Sequence, residues 1–191
     1  MEPSGPGDRR QFFRKGFGKW VDRWMEATEE RLVQERYFRP PGALPEVAFL
    51  AACTRCGDCL PVCPVDAILK VPSKGGLAAG TPYIDPRLQP CTVCPDMPCV
   101  QACPTGALTM PERGWDGYRL GEVELVPERC VTFRGTACTV CASACPIGER
   151  ALVIDEQGHP VLRREGCVGC GVCVRACITS PSSFELRLAE G

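Results

Sequence analysis

Cys53-Thr-Arg-Cys56-Gly-Asp-Cys59-Leu-Pro-Val-Cys63-Pro64 is the stretch that decides how this chain folds. Its spacing, C-x2-C-x2-C-x3-C-P, lets three thiolates grip one [4Fe-4S] cluster while the fourth reaches a second. Three further groups vary the plan: Cys91-Cys94-Cys99-Cys103, Cys130-Cys138-Cys141-Cys145 and Cys167-Cys170-Cys173-Cys177. Each keeps the final C-x3-C, and together the four blocks use all 16 cysteines. A cubane offers four iron corners, and each corner takes one thiolate. Cysteines two residues apart curl around one face and reach three corners. The last corner faces away and needs a distant cysteine. Four blocks therefore imply four [4Fe-4S] clusters held by these cysteines.

Pro64, Pro104 and Pro146 follow the last cysteine of the first three blocks. Proline fixes φ and removes a backbone donor, which suits a sharp turn beside a neighbouring cluster. Ile178 stands in that place in the fourth block, with Pro181 three residues on. Other uses of the cysteines fit less well. Disulfides belong to oxidising compartments and short secreted scaffolds, and thiols two residues apart are set to converge on one centre. Zinc takes two C-x2-C pairs across a longer spacer. Only Cys91/Cys94 and Cys138/Cys141 resemble such pairs, and the triads Cys53/Cys56/Cys59 and Cys167/Cys170/Cys173 do not.

The 191 residues hold 20 Gly and 19 Pro, with aromatics at 7%. That composition favours loop-rich lobes over a large hydrocarbon core, with the clusters tying short segments together. The formal charge is −1. Four cubanes in the 2+ state with their thiolates add roughly −8, and so acidic a holoprotein disfavours nucleic acid as a partner.

The cluster region runs from near Ala43 to near Leu188. Ala67–Val71 reads as a short strand, followed by the glycine-rich connector Lys74–Gly80 and Thr81-Pro-Tyr-Ile84. Glu122–Val126 alternates as a strand does. Ala151–Asp155 and Pro160–Leu162 flank Glu156-Gln-Gly-His159 as a hairpin, and Phe184–Leu188 closes the series. The repeated unit is cysteine block, short helix, strand, present four times. The C-x7-C gap after Cys130 pushes a loop, Val131 to Ala137, toward solvent or a partner.

Residues 8–38 carry no cysteine and show a helical stripe at Phe13, Phe17, Trp20, Val21, Trp24 and Leu32. Basic residues crowd its first half and glutamates its second. This segment packs on the cluster lobes or docks a partner subunit or a membrane surface. Arg9-Arg10-Gln-Phe-Phe-Arg-Lys15 resembles a twin-arginine export signal. The charged stretch after it lacks an apolar h-region. The expected location is thus cytoplasmic and peripheral at the membrane, with periplasmic export the alternative. Nothing approaches the ~20 apolar residues of a direct membrane span.

Arg39-Pro-Pro-Gly-Ala43, Ala52-Cys-Thr-Arg-Cys-Gly-Asp-Cys59, Gly80-Thr-Pro-Tyr83, Pro90-Cys-Thr-Val-Cys94, Cys99-Val-Gln-Ala-Cys-Pro-Thr-Gly-Ala-Leu108 and Cys167-Val-Gly-Cys-Gly-Val-Cys173 together resemble the NapG/MauM family of ferredoxin-type proteins. More distantly, the four-block plan is similar to the DmsB/NrfC-type iron–sulfur subunits of molybdopterin oxidoreductases. The resemblance covers roughly residues 39–188. It implies an α+β fold of two bacterial-ferredoxin-like dicluster lobes and a four-cluster electron carrier. The implied redox partners are a quinol-linked membrane subunit and a molybdenum oxidoreductase such as periplasmic nitrate reductase.

The resemblance also implies that the first and last blocks share one lobe and the middle two the other. Cys53, Cys56, Cys59 and Cys177 would then hold one cluster, and Cys167, Cys170, Cys173 and Cys63 its neighbour. Cys91, Cys94, Cys99 and Cys145 would hold a third, and Cys130, Cys138, Cys141 and Cys103 the fourth. The domains implied are a helical extension over 1–42, one lobe from 43–80 with 160–191, and a second lobe over 81–159.

Four such clusters would relay single electrons between redox partners. Catalysis belongs to a partner oxidoreductase: His159 is the only histidine, no nucleophile–base pair surrounds it, and no phosphate or dinucleotide motif is complete. His159 is expected at a hairpin surface, with Trp115 and Tyr118 in packing roles. An iron–sulfur redox sensor or cluster-assembly module is the alternative, although sensors usually expose an incomplete ligand set and every block here is complete.

Overall fold

A computed structural model describes residues 37–188. The expected extension lies largely outside the described residues, but its boundary is corrected, because residues 37–42 belong to the cluster-bearing unit. Ile84 donates to the Phe38 carbonyl at 2.7 Å, and Thr109 to that of Gly42 at 2.7 Å. The glycine at 42 has φ +74°, and a Cβ there would meet the Thr109 oxygen at 2.2 Å. That close approach needs a residue without a side chain.

Arg39 shows what the entering strand contributes. It is buried, and its Nε and Nη2 donate to the Glu46 carboxylate at 2.9 and 2.5 Å. Its Nη1 reaches Thr81 Oγ1 at 2.9 Å and the Pro82 carbonyl at 2.8 Å. The guanidinium also lies over the Phe49 ring, 4.6 Å from its centroid. One side chain thereby joins helix α1 (Glu46–Ala52) to the segment entering strand β2 (Pro82–Ile84).

The first lobe is built by two local pairings. Strand β1 (Ile68–Lys70) runs antiparallel to β2, and the glycine-rich connector makes the turn between them. Outside this hairpin, Ala43 bridges Leu108 across the two ends of the lobe. Blocks one and two lie between these pairings, the second with the short helix α2 (Pro98–Gln101).

The second lobe repeats the plan. Strands β4 (Leu152–Ile154) and β5 (Pro160–Leu162) form the expected hairpin. Asp155 Oδ1 closes its turn by accepting the Gln157 and His159 amides at 3.0 and 2.7 Å. Strand β3 (Gly121–Leu125) pairs antiparallel with β6 (Phe184–Leu188), Val123 opposite Leu186. The β3 strand lies one residue upstream of the expected span: Val126 still donates to the Ser183 carbonyl at 2.7 Å, but Pro127 has no amide N–H to carry the ladder further. Helices α3 (Val140–Ala144) and α4 (Val172–Ala176) lie within blocks three and four, carrying Cys141 and Cys173, so the expected order of block and then helix is corrected.

The lobe composition expected from the resemblance is therefore corrected. Blocks one and two share a lobe, and blocks three and four share the other. The spans 43–80 with 160–191, and 81–159, do not form lobes. The physical reason is local: each pair of adjacent blocks is joined by its own short hairpin, and short closures cost less entropy than long ones.

The two lobes meet at a narrow seam. Leu120 donates to the Val168 carbonyl at 2.8 Å. Between the lobes, Gly171 has φ +83°, and a Cβ on it would fall 2.5 Å from Pro86 Cβ. Val168 and Cys170 enter the same buried cluster as Phe49, Met97 and Leu108. A second cluster gathers Val123, Leu152 and Phe184 with Cys141 and Cys173.

Removing Arg39 strands a largely buried carboxylate. Arg39→Ala is expected to cost about 3 kcal/mol, read as earlier thermal bleaching of the visible absorbance of anaerobic protein. Arg39→Lys should recover only part of the loss, since it lacks the planar fork.

Candidate functional site: four cysteine-walled pockets

Among the described residues, four pockets are each walled by four thiols. The first is lined by Cys53, Cys56, Cys59 and Cys103. The second has Cys63, Cys91, Cys94 and Cys99. Cys130, Cys138, Cys141 and Cys177 line the third, and Cys145, Cys167, Cys170 and Cys173 the fourth. In every pocket three thiols come from one block and the fourth from its neighbour. The expected exchange of fourth thiols survives in principle, but its partners are corrected. Cys103 and not Cys177 joins Cys53, and Cys63 and not Cys145 joins Cys91. Cys177 joins Cys130, and Cys145 joins Cys167.

Local backbone geometry turns the thiols inward. Arg55, Val93 and Gly169 each precede the second cysteine of their block, and all three have positive φ, at 62°, 60° and 68°. For Val93, a β-branched residue, that conformation is a true outlier. In the third block the equivalent Ala137 is not among the positive-φ residues, and the C-x7-C gap places Cys130 on a separate segment. Of the expected loop Val131 to Ala137, residues Phe133 to Ala137 are exposed, whereas Val131 is half-buried and Thr132 buried. The turn after Cys177 is held without the usual proline: the Ser183 amide and the Thr179 hydroxyl both fold back onto Cys177 Sγ, at 3.3 and 3.1 Å.

The donor set fits a cubane. The four cavities are alike in size, so one kind of occupant suits all. Their remaining walls are largely apolar, including Phe49, Ile84, Met97 and Leu152. Among the described residues no three Cys, His, Asp or Glu side chains converge on a single metal ion. The thiols stand around a space instead, as the corners of a cluster require and a zinc site does not. All sixteen are free of disulfides.

Electrostatics inside the pockets opposes bare thiolates. Burial pushes Cys91, Cys99 and Cys170 up to about 12, and Cys59 and Cys141 up to about 11. Burial also resists ionisation of Cys177, yet the Thr179 and Ser183 donors bring it down to about 7. Neighbouring thiols raise one another across pocket boundaries as well. Cys59 acts on Cys99, Cys91 on Cys170, and Cys173 is raised by Cys141. The pockets are thus neighbours in the order first, second, fourth, third.

Other residues fall as the sequence suggests. Trp115 Nε1 donates to the Cys94 carbonyl at 2.8 Å and meets the Tyr118 ring edge-on at 6.2 Å, both packing roles. His159 is half-buried, not a free surface residue, and stacks on Phe133 at 4.1 Å. The sulfur-directed hydroxyls of Thr105, Thr132 and Thr179 escaped the sequence reading. The signal was present, since each lies two residues after a cysteine.

Comparison with known proteins agrees with this geometry. The 4Fe-4S dicluster domain matches residues 52–107 and 90–148. The chain is 37% identical over 167 residues to the ferredoxin-type protein NapG of Escherichia coli (strain K12), covering 80% of this chain and 72% of that protein. It is 39% identical to the methylamine utilization ferredoxin-type protein MauM of Methylophilus methylotrophus, covering 80% and 71%. The MauM protein of Paracoccus denitrificans is also 39% identical, with 81% and 72% covered. Fold and site define an electron-transfer iron–sulfur protein of the ferredoxin type, carrying four [4Fe-4S] clusters. The chain belongs to the NapG/MauM family of ferredoxin-type proteins.

Cluster loading must displace protons from the raised thiols, because only a thiolate ligates iron. Anaerobic reconstitution is therefore expected to release protons and to improve as pH rises from about 7 toward 9. A pH-stat trace with iron analysis checks this, and uptake of protons would contradict it.

Proposed function

We propose that the four thiols of each pocket ligate one cluster, and that the chain is a single-file electron relay serving a partner oxidoreductase. The observation that carries this reading is the row of four thiol-walled pockets of nearly equal size. When bound, a [4Fe-4S] cluster takes up and releases one electron. The chain's own residues set the path: Cys59 beside Cys99, Cys91 beside Cys170, and Cys141 beside Cys173 carry it from the first pocket to the third. Apolar walls keep water from the inner pockets. The ends differ, with exposed Cys56 at the first pocket and exposed Val140 and Ile178 walling the third.

The partner side of the proposal rests on the sequence. A quinol-linked membrane subunit or a molybdenum oxidoreductase suits a four-cluster carrier, docked through the stripe Phe13, Phe17, Trp20 and Trp24. Among the described residues no helix is long and apolar enough to cross a membrane. A cytoplasmic, membrane-peripheral position is the location proposed, supported by the charges that follow Arg9-Arg10.

Iron counting tests the ligation. Cys141→Ala with Cys177→Ala should remove one cluster, leaving about three-quarters of the wild-type iron, whereas Cys59→Ala with Cys177→Ala should remove two. The reverse pattern would restore the pairing of the first block with the fourth. For the docking element, deleting residues 1–36 should abolish co-purification with the native partner under anoxic conditions. A truncated protein that still captured it would refute that role.

A further inference from the structure

The four pockets differ in what points at their sulfur atoms. In the first, Cys103 Sγ has the Leu108 amide at 3.4 Å and the Thr105 hydroxyl at 3.8 Å. In the second, the Ala67 and Val93 amides reach Cys63 and Cys91 at 3.3 and 3.4 Å, and the Thr92 hydroxyl lies 3.6 Å from Cys94. In the fourth, among the described residues, no hydroxyl bonds a cysteine sulfur.

The third pocket stands apart. The Thr132 hydroxyl lies 3.2 Å from Cys130 Sγ, and that of Thr179 lies 3.1 Å from Cys177 Sγ. These are the two shortest hydroxyl–sulfur contacts among the described residues, and they act on thiols from two different blocks. A sulfur bound to iron carries no proton, so in the holoprotein each hydroxyl is the donor. Ser183 Oγ, 2.9 Å from Thr179 Oγ1, can donate to it and leave the Thr179 proton for sulfur. The Ser183 amide adds a third bond to Cys177 at 3.3 Å. Thr132 is buried at 7% exposure and Ser183 at 1%, so water competes little for either group.

Reduction adds negative charge that the cysteine sulfurs share. A donor aimed at sulfur stabilises the reduced form more than the oxidised one and raises the potential, and solvent exposure acts in the same direction. Val140 and Ile178, which wall this pocket, are 39% and 63% exposed.

We propose that Thr132 and Thr179 are positioning residues that give the third pocket the highest reduction potential of the four, making its end of the row the electron-accepting terminus. The inference rests on the proposed ligation and adds a direction to it: electrons collect where the Cys130 loop meets Cys177.

The test is an anaerobic redox titration of the full holoprotein followed by electron paramagnetic resonance, with iron and acid-labile sulfide measured on every sample. In Thr132→Val combined with Thr179→Val, the most positive component should fall by at least a tenfold change in its reduction equilibrium, about 59 mV for one electron. Lower components should stay in place, and Thr132→Ser with Thr179→Ser should restore the wild-type value. Four clusters with an unmoved top component, or movement of a lower one, would overturn this inference and leave the ligation standing. Wild-type protein without iron and sulfide would overturn the ligation itself. Should the valine variant lose a cluster, the missing component decides: loss of the most positive one supports the assignment, and loss of any other refutes it. Cys177→Ala gives the same readout independently.

Discussion

A tetrahedral set of iron corners cannot be closed by one short loop, and the architecture of this protein follows from that constraint. Three thiols of a block reach one cluster, and the fourth is carried past it by the C-x3-C turn into the adjoining pocket. Each block thereby lends its neighbour's pocket one thiol, Cys63 going one way and Cys103 the other in the first lobe, Cys145 and Cys177 in the second. Strands of three to five residues would be marginal alone. Here they hold the blocks in register around the thiol-walled pockets.

Both lobes answer this constraint with the same order of parts: a block, a hairpin and a block, with the two ends of the lobe paired to close it. The repeat is imperfect where function differs. The first lobe ties its ends by the Ala43–Leu108 bridge and by Arg39, whereas the second uses the full β3–β6 ladder. The approach of Gly171 to Pro86 brings the two lobes together, while exposed Cys56 lies at the first pocket and exposed Val140 and Ile178 at the third. Such a layout insulates the middle of an electron path and opens its ends.

Much of this was legible before the fold. The β4–β5 hairpin followed from Ala151–Asp155 and Pro160–Leu162 flanking the turn residues Glu156-Gln-Gly-His159, and Asp155 closes it by accepting two amides. The packing roles of Trp115 and Tyr118 were readable too. The lobe composition was not, because pairing the first block with the fourth came from a likeness and the C-x3-C spacing is silent about which neighbour receives the thiol. The hydroxyls of Thr132 and Thr179 were visible as residues two places after a cysteine, but their aim depends on a loop that returns through Ser183.

The order of residues alone settled the number of clusters, the sixteen thiols available to them and the ferredoxin character of the chain, since each of these depends on spacing within a single loop. Tertiary structure decided the rest: which block lends its last thiol to which, and that the pockets run first, second, fourth, third. Those outcomes hang on strand pairing and on the Gly171–Pro86 approach between lobes, where separate stretches of backbone must meet before any local pattern can say so.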